Sequence, residues 1–202
     1  MLAKTKTAML ILAAGNSSRM GQPKQLLPWN NTTLLGHTIE QGKLAGIEDI
    51  YVVLGAYKKE IQETLIQKNI RIVTNEQWEM GMGVSIAIGV QKIQKSKKSY
   101  SRLLITLCDQ PLLLAKFYRQ LIHSLSTSDK IAMATCYNQS LGVPAVFDIS
   151  VFEALTKLNS KIGAKALLNS LKGNAACIKA NAPTADIDTM TAYQSLYQSI
   201  FK

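Results

Sequence analysis

Two cations and one acid, far apart in the chain, have the residue types and surroundings to do chemistry. Arg19 and Lys24 lie in the string Leu12-Ala13-Ala14-Gly15-Asn16-Ser17-Ser18-Arg19-Met20-Gly21-Gln22-Pro23-Lys24-Gln25-Leu26-Leu27-Pro28. Gly15 and Gly21 bracket a small, polar segment in which backbone N–H groups can approach an anion closely and form a concavity around it. The Arg19 guanidinium offers a planar fork to phosphate oxygens, and the Lys24 ammonium a compact point charge. The chemistry these types permit is polyphosphate binding. The string is not a Walker A loop, because the Gly-Lys-Ser/Thr ending is absent, and it is not Gly-x-Gly-x-x-Gly. The acid is Asp109, directly after the apolar run Arg102 to Leu107 and Cys108. Ligands in open α/β sheets bind outside the carboxyl ends of the strands. Asp109 fits a cap for a helix begun by Pro111. With the phosphate loop on the same sheet edge, it fits better as a ligand for Mg²⁺ (or Mn²⁺), which takes one or two protein carboxylates plus substrate phosphates.

The elements that must position these groups read as follows. Ala8 to Leu12 is a buried strand, and Thr32 or Thr33 caps a helix running to about Ala45. Strand Ile50 to Leu54, helix Tyr57 to Gln67 and strand Ile70 to Thr74 follow. Gly81-Met82-Gly83 opens a helix near Val84, either as a tight turn or as a second ligand-facing loop, since helix N-termini favour anionic and polar groups. Arg102 to Leu107 reads as a central strand. Further on come a helix Leu112 to Leu125, strands Lys130 to Cys136 and Leu141 to Phe147, helices Ile149 to Leu158 and Lys161 to Leu171, and a short strand Ala176 to Ala180. A last helix spans Met190 to Phe201, for which Asp188 is a candidate cap. The repeated strand–helix alternation predicts an α/β chain with a parallel sheet and crossover helices. His37, inside the first helix and away from any acid or cysteine cluster, reads as structural.

The Leu12–Pro28 string resembles the signature of the molybdenum cofactor nucleotidylyltransferases, relatives of the sugar-phosphate and methylerythritol-phosphate nucleotidylyltransferases. Asn75-x-x-Trp78-x-x-Gly81-Met82-Gly83-x-Ser85-Ile86 resembles a second signature of that family, and Leu107-Cys108-Asp109-Gln110-Pro111 its metal motif. The resemblance implies a three-layer α/β/α, Rossmann-like fold with a mostly parallel central sheet, of the nucleotide-diphospho-sugar transferase type. It implies one domain over residues 1–202, with a nucleotide-binding half of about 1–110 and an acceptor-binding half of about 111–202. It assigns Leu12, Ala13, Ala14, Gly15, Lys24, Asn75, Gly81, Gly83, Ser85 and Asp109 to the nucleotide, with Ser85 making a polar contact to the base. Lys24 and Arg19 become the catalytic cations. In Asp186-Ile187-Asp188-Thr189 it makes Asp188 a second metal ligand beside Asp109, with Asp186 as the fallback. The chain departs from the family at Ser160-Lys161-Ile162-Gly163-Ala164-Lys165, where relatives have Gly-Asp-x-Gly-Ala-Arg. Lys does not replace Arg neutrally at a bidentate phosphate site, so the acceptor side is where the resemblance is thinnest.

Composition sets outer bounds. The chain has 202 residues, 47% of them hydrophobic and 18% charged, as expected of a globular domain. No apolar run reaches the ~20 residues of a membrane helix, and Met1 to Thr7 lacks the apolar core of a secretory leader. Cys108, Cys136 and Cys177 are odd in number and widely spaced, with no metal-type pair and no disulfide framework, so the expected compartment is a reducing cytoplasm. The net charge of +10 suits anionic ligands. Its densest run, Lys92 to Lys98, lacks the interleaved aromatics that stack on bases, so nucleic acid is not expected.

Neither histidine, His37 or His123, lies in a signature, so the sequence offers no general base. A phosphate monoester needs none, because its second ionisation falls near pH ~6. The expected reaction is therefore attack of an acceptor phosphate on the α-phosphorus of a nucleoside triphosphate, with release of pyrophosphate. Leu-Ala-Ala-Gly, in place of the Leu-Ala-Gly-Gly of guanylyl-transferring relatives, resembles the cytidylyl branch. That implies CTP as donor, a phosphorylated pterin of the molybdopterin type as acceptor, and a molybdenum hydroxylase as recipient. A sugar phosphate or other alcohol phosphate acceptor, and a non-catalytic cofactor carrier for such a hydroxylase, are the competing expectations.

Overall fold

The strand Thr7–Ala13 (β1) is apolar on both sides, so both of its faces must be covered. A computed structural model shows how, and describes residues 6–65, 70–138, 140–159, 163–184 and 186–202. Alternate residues of β1 enter two separate cores: Ala8, Leu10 and Leu12 one, Met9, Ile11 and Ala13 the other. This period of two is the pleat of a central strand.

A short hairpin, Pro28–Trp29 (β2) with Thr32–Thr33 (β3), leads into the helix Leu34–Leu44 (α1). The Thr33 side chain caps α1 by accepting from Gly36 N, one of the two caps anticipated. Then follow Asp49–Leu54 (β4), Lys58–Thr64 (α2), Ile70–Thr74 (β5), Met82–Gln94 (α3), Arg102–Leu107 (β6) and Ala115–Ser126 (α4). The remainder is Ala132–Tyr137 (β7), Ser140–Asp148 (β8), Phe152–Thr156 (α5), Ala164–Ser170 (α6), Ala175–Ile178 (β9) and Met190–Phe201 (α7). The seven long strands form one sheet in the order β5-β4-β1-β6-β8-β7-β9. All its neighbouring pairs are parallel except β6–β8 and β7–β8, so the mostly parallel sheet is as expected.

Ile86, Val90 and Ile93 of α3, Phe152 and Leu155 of α5, and Ala164 and Leu168 of α6 fill the first core. Leu35 and Ile39 of α1, Ile61 of α2, and Phe117, Leu121 and Leu125 of α4 fill the second. The chain is thus three layers, α/β/α. A satellite core of Met20, Leu27, Trp29, Leu34, Ile187 and Tyr193 joins α7 to the β2–β3 hairpin, where Tyr193 Oη donates to Pro28 O at 2.7 Å. Burying such side chains stabilises by about 1.5–3 kcal/mol each, and here the burial fastens the segment before α7 beside the loop after β1.

Three expectations are corrected. The helix after Asp109 starts at Ala115, not Leu112, because the Gln41 side chain from α1 accepts from Ala115 N at 2.9 Å while Leu113 turns inward. The cap of α7 is Thr189, whose side chain accepts from Ala192 N; Asp188 faces other groups. Cys136 and Cys177, read as unpaired, form a disulfide. Parallel pairing of β7 with β9 sets Ala134 opposite Cys177 and brings the two sulfurs together across 41 residues of sequence. The reducing-compartment expectation drawn from unpaired cysteines therefore loses its basis. Lys161 and Ile162, expected to open α6, and Ser160 lie outside the described residues, as do Ile66 and Gln67.

Candidate active site

The loop after β1, the start of α3 and the end of β6 meet at the carboxyl end of the parallel strands. Between them is a cavity of about 540 Å³, lined by Leu12, Ala13, Ala14 and Gly15, by Lys24, by Gly81 and Ser85, and by Asp109. These are all residues predicted from the sequence. The smaller cleft beside it, about 190 Å³, is lined by Gly15 to Met20, Lys24 and Asp188, and so takes in Arg19.

Lys24 is the hub. Its ammonium donates to Asp109 Oδ2 at 2.6 Å and to Asp188 Oδ1 at 3.1 Å. Arg19 Nη2 reaches Asp188 Oδ2 at 3.0 Å. Four residues predicted from three separate motifs therefore form one alternating chain of charge. The strap that delivers Asp188 is pinned on the way: Gln110 Nε2 donates to Asp186 Oδ1 at 2.7 Å, and Ile187 N to Asp109 O at 2.9 Å. Burial pushes the Asp109 carboxyl up from its ordinary value, against the pull of the Lys24 ammonium beside it. Burial works against the charge on Lys24 too, but the Asp109 and Asp188 carboxylates outweigh it and raise that group.

Asp109 Oδ1 is buried and has no hydrogen-bond partner among the described residues. An orphaned carboxylate oxygen costs free energy unless something completes it. This oxygen and the Asp188 carboxylate, now paired with Lys24 and Arg19, are hard oxygen donors of the kind that could hold Mg²⁺ or Mn²⁺.

The second loop is shaped by Gly81, which has φ +115° and stands just ahead of α3. A side chain there would be strained. Gly83 lies within the first turn of α3, buried, and not in the loop. Ser85 faces the cavity, while Asn75 does not line it. Asn75 is fully buried behind Ser85, donates to its Oγ at 2.9 Å, and accepts from Gln77 N. A Cβ on Gly163, just ahead of α6, would lie 2.9 Å from Met82 Sδ, so the segment ahead of α6 packs against this loop. His37, as expected, is structural: its Nε2 sits 3.0 Å from Pro111 O. Cys108 is buried, with burial pushing its thiol up to about 12, and it is inert as a nucleophile. The cavity is also lined by Asn16, Gln25, Trp78, Glu79, Met82, Leu107 and Cys108, which the sequence did not assign to it. No local signal marked Gln25, because a glutamine beside a lysine in a polar loop is ordinarily exposed; only the fold buries it.

The MobA-like NTP transferase domain model matches residues 9–175. The chain belongs to that family. Among curated relatives of these NTP transferases, a nicotine blue oxidoreductase of Paenarthrobacter nicotinovorans is 33% identical over 103 residues, 50% of this chain and 48% of that protein. A molybdenum cofactor cytidylyltransferase of Escherichia coli (strain K12) is 33% identical over 113 residues, 55% of this chain and 56% of that one. The match thus spans about half the length of these relatives. The crystal structure of Rv0371c from Mycobacterium tuberculosis H37Rv superimposes with a TM-score of 0.84 at 26% identity, covering 98% of this chain and all of that one. The three-layer fold is therefore that of the family.

Proposed function

We propose that this NTP-transferase domain transfers a nucleotidyl group from a nucleoside triphosphate to a phosphorylated acceptor. One observation carries the reading: Lys24 and Asp109, 85 residues apart, meet at 2.6 Å on the wall of one cavity, with Asp188 and Arg19 completing the group. Asp109 and Asp188 would hold a divalent cation, which would supply charge neutralisation for the triphosphate. The manganese complex described for Rv0371c makes that ion the natural first probe. Lys24 then exchanges carboxylate for phosphate and stabilises charge developing around the α-phosphorus. Arg19, 70% exposed at the cleft mouth, turns its fork to the outer phosphates. The acceptor phosphate attacks in line, pyrophosphate leaves, and no general base is required.

For base and acceptor our reading is CTP and a molybdopterin-type phosphate, with a molybdenum hydroxylase as recipient of the product. The similarity to the molybdenum cofactor cytidylyltransferase of Escherichia coli supports the donor and the acceptor class. A sugar phosphate acceptor is a second reading. It is kept open by Lys165, where the family resemblance leads to Arg. Pyrophosphate release from CTP, GTP, ATP and UTP, each offered with molybdopterin or a hexose 1-phosphate, tests both. Turnover with CTP and the pterin supports the first reading, turnover only with the sugar the second, and release in none of the pairs defeats the transferase.

A further inference from the structure

Gln25 is 2% exposed, yet it is one of the most heavily bonded side chains in the loop after β1. Its Nε2 donates to Ala13 O at 2.9 Å and to Gly15 O at 3.0 Å. Its Oε1 accepts from Ser17 Oγ at 3.4 Å, and that hydroxyl in turn accepts from Lys24 N at 3.1 Å. A primary amide has two N–H donors. Both are spent on the loop, so Gln25 has no donor left for a ligand although it borders the cavity. In a planar trans peptide, the C=O of one residue and the N–H of the next point in opposite directions. Holding Gly15 O on Gln25 therefore turns the Asn16 N–H away from Gln25. Ala14 O is fixed in the same way by Ala56 N at 3.1 Å, which orients the N–H of Gly15. Gly15 and Asn16 line both the main cavity and the cleft that holds Arg19.

We infer that Gln25 is a positioning residue: its amide sets the Gly15–Asn16 peptide, and through Ser17 the start of the Lys24 turn, in the orientation that receives the triphosphate. The inference rests on the nucleotidyl-transfer reading. The loop is short of apolar side chains and Ser17 sits at φ +49°, so packing alone does not hold this backbone. Without the amide, Ala13 O and Gly15 O lose these two donors, and the Gly15–Asn16 peptide loses the contact that orients it.

Two measurements decide it. In the parent chain, titration with inorganic triphosphate and Mg²⁺ should move the amide signals of Gly15 and Asn16 in a ¹⁵N–¹H spectrum. In Gln25→Met, which keeps the volume and removes both donors, affinity for CTP with Mn²⁺ should fall about tenfold, the order of the cost of ordering one freed backbone residue on binding. Affinity for Mn²⁺ alone, set by Asp109 and Asp188, should stay within about twofold of the parent. A loss that is merely structural would lower both. If the parent binds triphosphate while the two amides stand still, or if Gln25→Met binds CTP as the parent does, the role of Gln25 is refuted and the transferase reading survives. If the parent binds neither CTP nor triphosphate, the transferase reading falls and this inference with it. Should Gln25→Met fail to fold, Gln25→Leu, which also removes both donors, takes its place in the same titrations.

Discussion

Two buried aspartates at opposite ends of the same sheet gather cations in opposite proportions. Asp49 opens β4 at the amino end of the parallel strands and holds three cations, Lys6 at 2.9 Å, Arg71 at 2.7 Å and Lys98 at 2.6 Å. Arg71 also stacks on Tyr51, and Lys6 lies over Tyr100. Asp109, just past β6 at the carboxyl end, shares one ammonium with Asp188, and its Oδ1 has no partner among the described residues, whereas Asp49 Oδ2 has the Lys6 ammonium. Burial would raise both carboxyls. At Asp49 hydrogen bonds from Lys98, Arg71 and Lys6 overcome it and hold the group well below the carboxylate range, whereas at Asp109 burial prevails. An acid supplied with excess positive charge ties strand ends together. One left short of it is prepared to take charge from a ligand, and perturbed groups of that kind cluster at functional sites.

Removing the hubs breaks the comparison most directly. Lys24→Ala should lower the rate of pyrophosphate release by about 10²–10³-fold, while Asp49→Asn, at the far end of the sheet, should leave it within about twofold. Equal losses in the two variants would erase the functional distinction. The Cys136–Cys177 bridge secures the edge strand from which the Asp186–Asp188 strap departs, so Cys177→Ala should cost about 2–4 kcal/mol in denaturant unfolding. Next in size is the stability difference between the aspartates. Asp49→Asn should lose about 1–3 kcal/mol at pH 7, whereas Asp109→Asn should melt at or above the parent temperature while losing turnover.

Their pH dependences should carry opposite signs. With its folded value depressed, Asp49 contributes stability above the ordinary carboxylate pKa of ~3.9 and loses it as pH falls. With its folded value raised, Asp109 contributes below that pKa and loses its contribution as pH rises through its folded value. Unfolding curves from pH 3 to 7 should therefore flatten at the acid end in Asp49→Asn and at the upper end in Asp109→Asn. The smallest expected effect is on Arg19: because its pair with Asp188 is exposed, Arg19→Ala should change stability by under about 0.5 kcal/mol. It should still raise KM for the triphosphate.

Legibility along the chain followed the range of the interactions involved. β5, β6 and α7 have the bounds their apolar patterns predict, because each is set by its own periodicity and a neighbouring cap or turn. The start of α4 did not, since Gln41, 74 residues earlier, supplies the acceptor that begins it. Asn75 and Ser85 were legible as a pair of polar residues in one motif, but not which of the two faces the cavity. The cysteine pair was misread because only strand order places β9 beside β7.

By itself, the sequence determined the alternating strands and helices, the small-residue loop after β1 with its two cations, and the acid at the end of β6. Those depend on side-chain period, glycine and chain neighbours, all of which act within a few residues. Tertiary structure alone decided that Lys24 would stand between Asp109 and Asp188, that Gln25 would turn inward, and that Cys136 would meet Cys177. These pairings join residues brought together by the crossover of parallel strands and by the burial of α7 against Trp29, and no local pattern encodes which distant partner a folded sheet will present.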